Sequence, residues 1–382
     1  MWLAAAAAAA TVPGGRALAE AVAGRRRGPN SVVRLGVVGV KGRGLNHVQD
    51  YAKMKDVRVA AICDVDENVI GAAMKAAEEG AGRAPAYHRD FRKLLEDKTL
   101  DGVSIATCNH THSLIALSAL AAGKHVYVEK PLSHNVREGA ALAAGAKATG
   151  LVVQHGTQSR SSPGLQEMVA YLRSGALGPL TAVRAFCYKR RTSIGKQPPA
   201  PVPQGVDYDL WLGPAPVRPF TRNRFHYNWH WHWDYGNGDI GNQGVHEMDR
   251  ARWGLGATGH PARIMSVGGR LGYEDDGETP NTLITLFDWG AVPLLFEVRG
   301  LETDEYRGCR IGVIYDCRDG YVVNPNYESA TVFDKNGKQL KTFGGGGNHF
   351  RGFIDAVFAN DPVKVTAPPA EGHLSASLCH LA

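Results

Sequence analysis

The first residues that could do chemistry are three glycines, Gly39, Gly42 and Gly44. They follow an apolar run, Val32 to Val38, and open a helical stretch. Glycine has no side chain to obstruct a phosphate, and a helix beginning here presents unpaired N–H groups and its positive dipole end to an anion. Arg43 could add a charge-assisted hydrogen bond. The segment predicts a pyrophosphate-binding loop, although a glycine triplet by itself also fits a plain tight turn.

A carboxylate, Asp64, ends the next apolar run, twenty residues after Gly44. A dinucleotide site needs a carboxylate here to accept hydrogen bonds from the adenine ribose hydroxyls, and its charge repels the extra phosphate of NADP. We therefore expect NAD rather than NADP as the cofactor. An aspartate at a strand end could instead only form a turn, but its register with the glycine loop favours the dinucleotide interpretation.

Polar side chains also follow the next two apolar runs. The first of these runs ends in Ala106-Thr107-Cys108-Asn109-His110-Thr111-His112, and the second ends in Glu129-Lys130-Pro131. In an open α/β sheet, ligands lie beyond the carboxyl ends of the strands. The residues that we expect to contact the cofactor are therefore Thr107, Asn109, His112, Glu129 and Lys130.

The elements that must position these residues alternate between short apolar runs and helical stretches. Three runs repeat the pattern of the first: Val57 to Cys63, Gly102 to Ala106 and His125 to Val128. This alternation implies a parallel sheet covered by helices on both faces. After about residue 155 the strands become amphipathic or aromatic and suit an antiparallel or mixed sheet. The prediction is an α/β protein with a Rossmann domain at residues 32–155 and a second α/β domain at residues 156–382.

The first 31 residues are interpreted as a leader rather than as part of the fold. Ala4 to Ala10 is a short apolar run, and Ala17-Leu18-Ala19 is typical of a signal-peptide cleavage site, but no basic segment precedes the alanines. We expect export to a periplasmic or extracytoplasmic location, and a cytoplasmic location if the leader is only a disordered segment. The apolar run is too short to span a bilayer, so no membrane insertion is expected.

Charge and cysteine spacing argue against other classes of function. The formal net charge is +6, and half of it arises before residue 31, so the remaining chain carries too little charge to indicate a nucleic-acid partner. The six cysteines show no metal-binding spacing, and no metal site is predicted. Cys309 and Cys317 flank a predicted hairpin and could form a disulfide in an exported protein; otherwise such cysteines are small buried hydrophobic residues.

Together these segments resemble the Gfo/Idh/MocA family of glucose–fructose oxidoreductases, inositol dehydrogenases and rhizopine-catabolism proteins. The resemblance is carried by Gly39 to Gly44, Ile105 to His112, Ala122 to Val126 and Glu129-Lys130-Pro131-Leu132. It implies NAD-dependent oxidoreductase activity, a second domain with an open-faced, mostly antiparallel sheet, and a homo-oligomer, dimer or tetramer, formed through that open face. Three further segments resemble an often exported branch of the family, for which no particular substrate is implied: Trp211 to Pro216, Trp231 to Gly236 and His246 to Trp253.

Two catalytic residues are expected. The resemblance implies that Lys130 lies between nicotinamide and substrate, where an ammonium group can stabilise a developing alkoxide and relay its proton. The segment Gly238 to Asp249 resembles the family motif in which an aspartate stands four residues before a histidine. His246 is therefore the candidate general base, because a histidine can accept a proton near neutral pH. Asn242 occupies the aspartate position and can hold a substrate hydroxyl but cannot take its proton, which leaves the nearby Asp239 as an alternative base.

The substrate is expected to be a small-molecule carbohydrate. The segment Phe225 to Trp233 is rich in aromatic residues, which pack on the apolar faces of sugars, although a packed loop at a subunit contact fits equally well. Trp233 is the candidate substrate contact in this segment, beside Asn242 and His246. Arg160 and the basic run Lys189 to Arg191 could bind an acidic sugar or could form a solvated basic edge.

Three functions remain open at this point. The leading one is NAD-dependent oxidation of a hydroxyl of a sugar, polyol or glycoside. The second is a glycosidase that retains its NAD and works by transient oxidation, elimination, water addition and re-reduction; an exported chain would have to carry its NAD with it, which suits a retained cofactor. The third is a non-catalytic NAD-binding sensor, disfavoured because a sensor has no need of the proton relay that Lys130 and His246 could form.

Overall fold

The computed structural model describes residues 31–382, so the predicted leader, apart from its last residue, lies outside the described residues. The strands in chain order are β1 (Val33–Val38), β2 (Val57–Cys63), β3 (Ala86–His88), β4 (Gly102–Ile105), β5 (His125–Val128), β6 (Val153–His155), β7 (Leu180–Cys187), β8 (Arg263–Gly269), β9 (Thr282–Asp288), β10 (Pro293–Arg299), β11 (Ile311–Cys317), β12 (Gly320–Asn324), β13 (Ala330–Asp334) and β14 (Gln339–Phe343). The helices are α1 (Arg43–Ala52), α2 (Gly71–Ala81), α3 (Phe91–Leu95), α4 (Asn109–Ala121), α5 (Val136–Thr149), α6 (Pro163–Arg173), α7 (Tyr208–Leu212), α8 (Gly238–Asn242), α9 (Gly244–Leu255), α10 (His349–Ala359) and α11 (Pro369–Leu381).

The described chain divides into two compact units. The first comprises residues 31–156, 199–220 and 349–373, and the second comprises residues 157–198, 221–348 and 374–382. The chain first leaves the first unit one residue from the predicted boundary at 155. The structure differs from a single division there, because residues 199–220 and 349–373 return to the first unit.

The first unit is built on a six-stranded parallel sheet with the order β3-β2-β1-β4-β5-β6. Strands β4 and β5 are buried along their whole length, as continuous apolar runs predict for strands covered on both faces. The strand order reverses between β1 and β4, which is where doubly wound sheets bind dinucleotides. The Rossmann prediction is confirmed.

Helix α10 completes the core of the first unit after a long excursion of the chain. Its residues Phe350, Phe353 and Ile354 are buried against apolar residues of the Rossmann sheet and α1. The ring of Phe350 stacks on the buried ring of Tyr127, with 4.9 Å between the ring centroids. The apolar face of α10 therefore finds its partner in the Rossmann unit, which explains why residues 349–373 belong to it.

The second unit is built on an eight-stranded sheet with the order β14-β13-β12-β11-β7-β10-β9-β8. The pair β7 and β10 is parallel, and the other neighbouring strands are antiparallel, so the mostly antiparallel prediction is confirmed. Along β9 and β10 buried and more exposed residues alternate, as expected where one face packs on a core and the other stays open. Val245 and Met248 of α9 belong to the core that covers the packed face.

All six cysteines are free, and the disulfide considered for Cys309 and Cys317 does not form. The two residues do not flank a hairpin, because the seven-residue strand β11 runs between them. A strand of that length spans roughly 20 Å, whereas a disulfide needs Cα atoms within about 7 Å. In the described part of the chain, none of the helices combines the length and apolarity needed to cross a membrane.

Candidate functional site

The glycine loop lies at the carboxyl ends of three neighbouring strands. The N–H of Gly39 donates to the carbonyl oxygen of Cys63 at the end of β2, at 2.8 Å, and the N–H of Ala106 after β4 donates to Val38 at 2.9 Å. Gly39 has a φ of 79°, and a Cβ there would lie 2.9 Å from both the backbone of Ala106 and the methyl group of Thr107. Only glycine therefore lets these strand ends approach so closely.

The amino-terminal end of α1 offers free N–H groups to an anion. Its N-cap is Gly42, which provides no capping side chain, and the first turn holds no acidic residue. A Cβ on Gly44 would overlap the carbonyl oxygen of Gly39, so this glycine lets the helix start directly against the loop. The first turn of α1 thus suits the pyrophosphate of a dinucleotide in both shape and charge.

Asp64 lies beside the glycine loop, as the sequence predicts. Its Oδ2 accepts a hydrogen bond from the N–H of Val40 at 2.8 Å, and its Oδ1 accepts one from Asp66 at 3.0 Å. Burial raises the pKa of Asp64, and these two hydrogen bonds oppose part of the shift. Each carboxylate oxygen has a further lone pair, so the adenine ribose hydroxyls can still bind here.

The carboxylate of Glu129 accepts hydrogen bonds from other groups of the protein. Its buried Oε1 accepts hydrogen bonds from Nε of Arg43 at 2.8 Å and from Nε2 of His47 at 3.1 Å. Burial alone would raise the pKa of Glu129, but the charge of Arg43 and the hydrogen bond from His47 outweigh it, so the pKa lies well below its ordinary value. Arg43, which we expected at the pyrophosphate, is thus directed by its Nε to Glu129.

His47 is a member of this network that the sequence analysis missed. Burial lowers its pKa, so the ring is neutral and donates from Nε2 to Glu129. Its Nδ1 then accepts a hydrogen bond from the hydroxyl of Ser104 at 2.9 Å. The available signal was spacing, because residues four apart on a helix, Arg43 and His47, lie on one face.

Lys130 follows β5 and is half-buried. Its backbone N–H donates to Oε2 of Glu129 at 3.1 Å, and a cis peptide bond joins it to Pro131. The ring of buried His112 lies between the carbonyl oxygen of Pro131, at 2.8 Å, and that of Thr107, at 3.0 Å. Two of the predicted cofactor contacts, His112 and Glu129, therefore hold the loops after β4 and β5 in place.

The remaining predicted contacts lie at the start of α4. Asn109 is the first residue of this helix and is buried. The hydroxyl of Thr111 donates to Oγ1 of Thr107 at 2.8 Å, which fixes the Thr107 side chain against the helix. Thr107, in the loop after β4, and Asn109, at the start of α4, thus lie beyond the carboxyl end of β4, at the edge of the sheet where the glycine loop lies.

His246 lies in the first turn of α9 in the second unit and is buried. Its ring packs on the ring of Tyr327, with 4.7 Å between the centroids. The hydroxyl of Tyr327 accepts a hydrogen bond from Nε2 of Gln243 at 2.8 Å. Burial and the charge of Glu247 raise the pKa of Tyr327 to about 12. The candidate base is thus supported by a protonated phenol that the sequence analysis did not identify.

Asp239, the alternative base, is paired with Arg191. The guanidinium donates to both carboxylate oxygens, at 2.7 and 2.9 Å, and its Nη1 donates to the hydroxyl of Tyr227 at 3.1 Å. The face of Trp231 lies 5.2 Å from the same guanidinium. Both carboxylate oxygens of Asp239 are therefore occupied by one guanidinium group, which leaves His246 as the better candidate. Asn242, at the end of α8, is buried.

Arg160, a predicted substrate contact, is paired with a carboxylate of the second unit. Its guanidinium donates to both carboxylate oxygens of Asp249, at 2.8 and 2.9 Å, and lies over the ring of Trp253. Both partners of the ion pair are buried, and the charge of Arg160 lowers the pKa of Asp249 against the raising effect of burial. The charge of Arg160 thus already neutralises Asp249 inside the unit, and the substrate contact expected of Arg160 stays a prediction.

The aromatic segment separates into buried and exposed members. Trp231 is buried, whereas Trp233 and Tyr227 are 53% and 54% exposed. The backbone N–H of Trp233 donates a 2.8 Å hydrogen bond to the side chain of Glu278, which fixes the backbone that carries the exposed indole. Both interpretations of the segment, a sugar platform and a subunit contact, remain compatible with this exposure. Within residues 31–382 there is no cluster of three or more metal-ligating side chains.

Two family models match the chain. A model described as an oxidoreductase family with an NAD-binding Rossmann fold matches residues 33–157, and a model described as the C-terminal alpha/beta domain of an oxidoreductase family matches residues 178–273. Together they match more than half of the chain.

Curated relatives match over a shorter stretch. The glycosyl hydrolase family 109 protein 2 of Shewanella sp. (strain ANA-3) is 37% identical over 110 residues, which is 28% of this chain and 24% of that protein. The alpha-N-acetylgalactosaminidase of Shewanella oneidensis is 33% identical over 111 residues, again 28% of this chain and 24% of that protein. The match thus spans about a quarter of the length of these relatives.

Solved structures resemble the chain over almost its whole length. Levoglucosan dehydrogenase in complex with NADH and levoglucosan has a TM-score of 0.69 at 19% identity, covering 92% of this chain and 96% of that chain. The WlbA dehydrogenase from Bordetella pertussis, in complex with NADH and UDP-GlcNAcA, has a TM-score of 0.66 at 17% identity, covering 91% and 94%. At these identities the likeness shows the fold.

Proposed function

Because the chain belongs to the Gfo/Idh/MocA family of NAD-binding oxidoreductases, we propose that it oxidises a hydroxyl group of a sugar, polyol or glycoside. The observation that carries the proposal is the arrangement of Gly39, the start of α1 and Asp64 at adjoining strand ends. The exposed Trp233 supports a carbohydrate substrate, as do structural neighbours solved with levoglucosan and UDP-GlcNAcA.

Bound NAD supplies the hydride acceptor of this reaction. The glycine loop and the first turn of α1 would hold its pyrophosphate, and Asp64 would hold its adenine ribose. Thr107, in the loop after β4, and Asn109, at the start of α4, would contact the nicotinamide half of NAD. Glu129 accepts hydrogen bonds from Arg43 and from the backbone N–H of Lys130. These contacts hold the glycine loop and the loop that carries Lys130 in fixed positions relative to each other.

Lys130 would stabilise the oxygen from which the hydride is taken. Its backbone N–H is held by the side chain of Glu129, which positions the residue that carries the ammonium group. A positive charge beside a developing alkoxide lowers the barrier, and the same group can relay the proton.

His246 would accept the hydroxyl proton as general base. It is buried, and its ring orientation is set by Tyr327. Asn242 would bind a substrate hydroxyl without taking its proton, because a side-chain amide does not titrate.

The first experiment is to purify the protein without added cofactor, denature it and measure released NAD(H). Near-stoichiometric NAD(H) would favour a retained cofactor, and glycosides and sugar pairs would then be screened as substrates. An empty protein that binds NAD would favour a conventional dehydrogenase, tested with polyols and aldoses by following NADH absorbance. An empty protein that binds no NAD in calorimetric titration would contradict the proposed function.

The second candidate is a glycosidase that retains NAD through transient oxidation, elimination, water addition and re-reduction. It is favoured by the sequence match to proteins named glycosyl hydrolase family 109 and alpha-N-acetylgalactosaminidase. The discriminating assay uses p-nitrophenyl glycosides, including the α-N-acetylgalactosaminide. Release of p-nitrophenol without net NADH would support this candidate over the dehydrogenase.

The proposal includes a homo-oligomer, dimer or tetramer, formed through the open face of the second sheet. Five apolar side chains adjoin on that face, and we name them the open-face cluster: Met265, Val267, Ile284, Leu286 and Leu295. Met265 pairs with Leu286 across the strands, and Val267 pairs with Ile284. Met265 and Val267 are 59% and 71% exposed. Contiguous exposed apolar side chains favour burial against a second copy.

Export is also part of the proposal, on the strength of the alanine run and the Ala17-Leu18-Ala19 segment. Fractionation of cells that express the full chain tests it. A processed protein outside the cytoplasm would support export, whereas intact chain confined to the cytoplasm would contradict it.

A further inference from the structure

Three consecutive basic residues follow β7, and the structure gives two of them carboxylate partners. Arg191 donates two hydrogen bonds to the carboxylate of Asp239, as described above. Arg190 pairs with Glu302 at 3.1 Å on the protein surface. The charges of these two arginines are therefore already balanced, and they need no ligand.

Lys189 differs from both arginines. Across residues 31–382 no carboxylate lies within ion-pair distance of its ammonium group, whose partner is the neutral Oε1 of Gln243 at 3.4 Å. That distance is longer than an ordinary N–H···O hydrogen bond of about 2.9 Å. An ammonium group carries three donors, and Lys189 is half-buried, so a nearby anion would be a better partner than the amide.

Lys189 lies close to the candidate base. Gln243, its partner, also donates to the hydroxyl of Tyr327, whose ring packs on His246. The order Lys189, Gln243, Tyr327 and His246 is thus a continuous row of contacts within the second unit. An anion bound by Lys189 would lie at one end of this row, with the imidazole of His246 at the other.

We propose that Lys189 determines specificity by binding the carboxylate of an acidic sugar, so that the substrate is a uronic acid or a uronate-containing glycoside. This inference rests on the proposed function. A single ammonium group matches a singly charged carboxylate, whereas a phosphate dianion is usually held by several cations or N–H groups. The structure also explains why Lys189 fills this role rather than Arg160, Arg190 or Arg191, because each arginine has a carboxylate partner.

The test compares matched pairs of sugars that differ in a carboxylate, glucuronate with glucose and galacturonate with galactose. Affinity is measured by calorimetry on the NAD-loaded protein, and turnover is measured by NADH absorbance. We expect uronates to bind at least tenfold more tightly than their neutral counterparts. Lys189→Gln should remove that preference, measured as the ratio of the uronate and neutral-sugar dissociation constants, and Lys189→Arg should retain it. Arg190→Gln is the control, because it changes the neighbouring charge on the surface.

The outcomes distinguish failure of the role proposed for Lys189 from failure of the proposed oxidoreductase function. Oxidation of neutral sugars with no preference for uronates would overturn the role of Lys189 and leave the proposed function intact. A preference for uronates that survives Lys189→Gln would also overturn it, as would tighter binding of glucose 6-phosphate than of glucuronate. If no sugar binds or reacts and p-nitrophenyl glucuronide is not cleaved, both the inference and the proposed function fail.

Discussion

Nε of Arg43 donates a 2.8 Å hydrogen bond to the buried Oε1 of Glu129, and this contact joins the glycine loop to the loop that carries Lys130. Removal of the guanidinium takes this hydrogen bond from the buried carboxylate, whose Oε1 then keeps the hydrogen bond from His47. Because hydrogen bonds to charged groups contribute roughly 1.5–3 kcal/mol, Arg43→Met should lower the free energy of unfolding by about 2 kcal/mol. Urea denaturation measures this change.

The same variant should weaken NAD binding through the loosened loop, which calorimetry detects. Arg92→Met is the matched control, since Arg92 pairs with Asp90 on the surface and should cost less than about 1 kcal/mol. Equal losses in the two variants would contradict a special role for the Arg43 and Glu129 pair.

Asp64 should govern the choice between NAD and NADP. Asp64→Asn keeps an acceptor for the N–H of Val40 but removes the charge that repels the 2′-phosphate. The ratio of the NADP and NAD dissociation constants should fall roughly tenfold, equivalent to about 1.4 kcal/mol. Titrations of both cofactors measure the ratio, with Asp50→Asn on α1 as the control. A preference for NADP in the unmodified protein would refute the assignment of Asp64.

Lys130 and His246 should affect turnover more than cofactor binding. Lys130→Met and His246→Gln should each lower kcat by about 10²- to 10³-fold, because each removes one charge-stabilising or proton-transfer group. The NAD dissociation constant should change little for His246→Gln. Lys147→Met, an exposed lysine on α5, is the control. Near wild-type turnover in either catalytic variant would remove that residue from the mechanism.

His47 should make stability depend on pH. Burial holds its folded-state pKa below 6.5, so as the pH falls below about 6.5 the unfolded chain binds a proton that the folded protein does not. The free energy of unfolding should therefore decline from pH 7 toward pH 5.5. His47→Asn should be less stable at pH 7 but show a shallower decline in denaturation curves. The same substitution at His88 on β3 is the control, and parallel curves for His47→Asn and wild type would contradict the prediction.

The open-face cluster should hold the oligomer together. Val267→Asp places a charge within the open-face cluster, where an interface would have to desolvate it. We expect this variant to elute as a smaller species in size-exclusion chromatography with light scattering. Val363→Asp, at an 86% exposed valine of the first unit, is the control. A wild-type protein that is monomeric at micromolar concentration would rule out the proposed interface.

Local patterns in the sequence were sufficient to predict the type of both sheets, the position of the glycine loop and the family. The apolar runs of β1, β4 and β5 predict a buried parallel sheet because strands covered on both faces have no polar side, and the register of Asp64 with Gly44 follows from the strand and helix lengths between them. Residues such as Gly39 were identifiable because only glycine tolerates the close approach that the turn requires.

The tertiary structure alone decided which charged groups pair. Glu129 and Arg43 are 86 positions apart, and Arg160 and Asp249 are 89 apart, so no periodicity in the sequence links them. The same holds for α10, which packs into the Rossmann core from the far end of the chain. A charged side chain in a sequence is equally suited to a ligand or to a buried partner, and only folding decides which of the two it contacts, because an ion pair depends on distance in space and not along the chain.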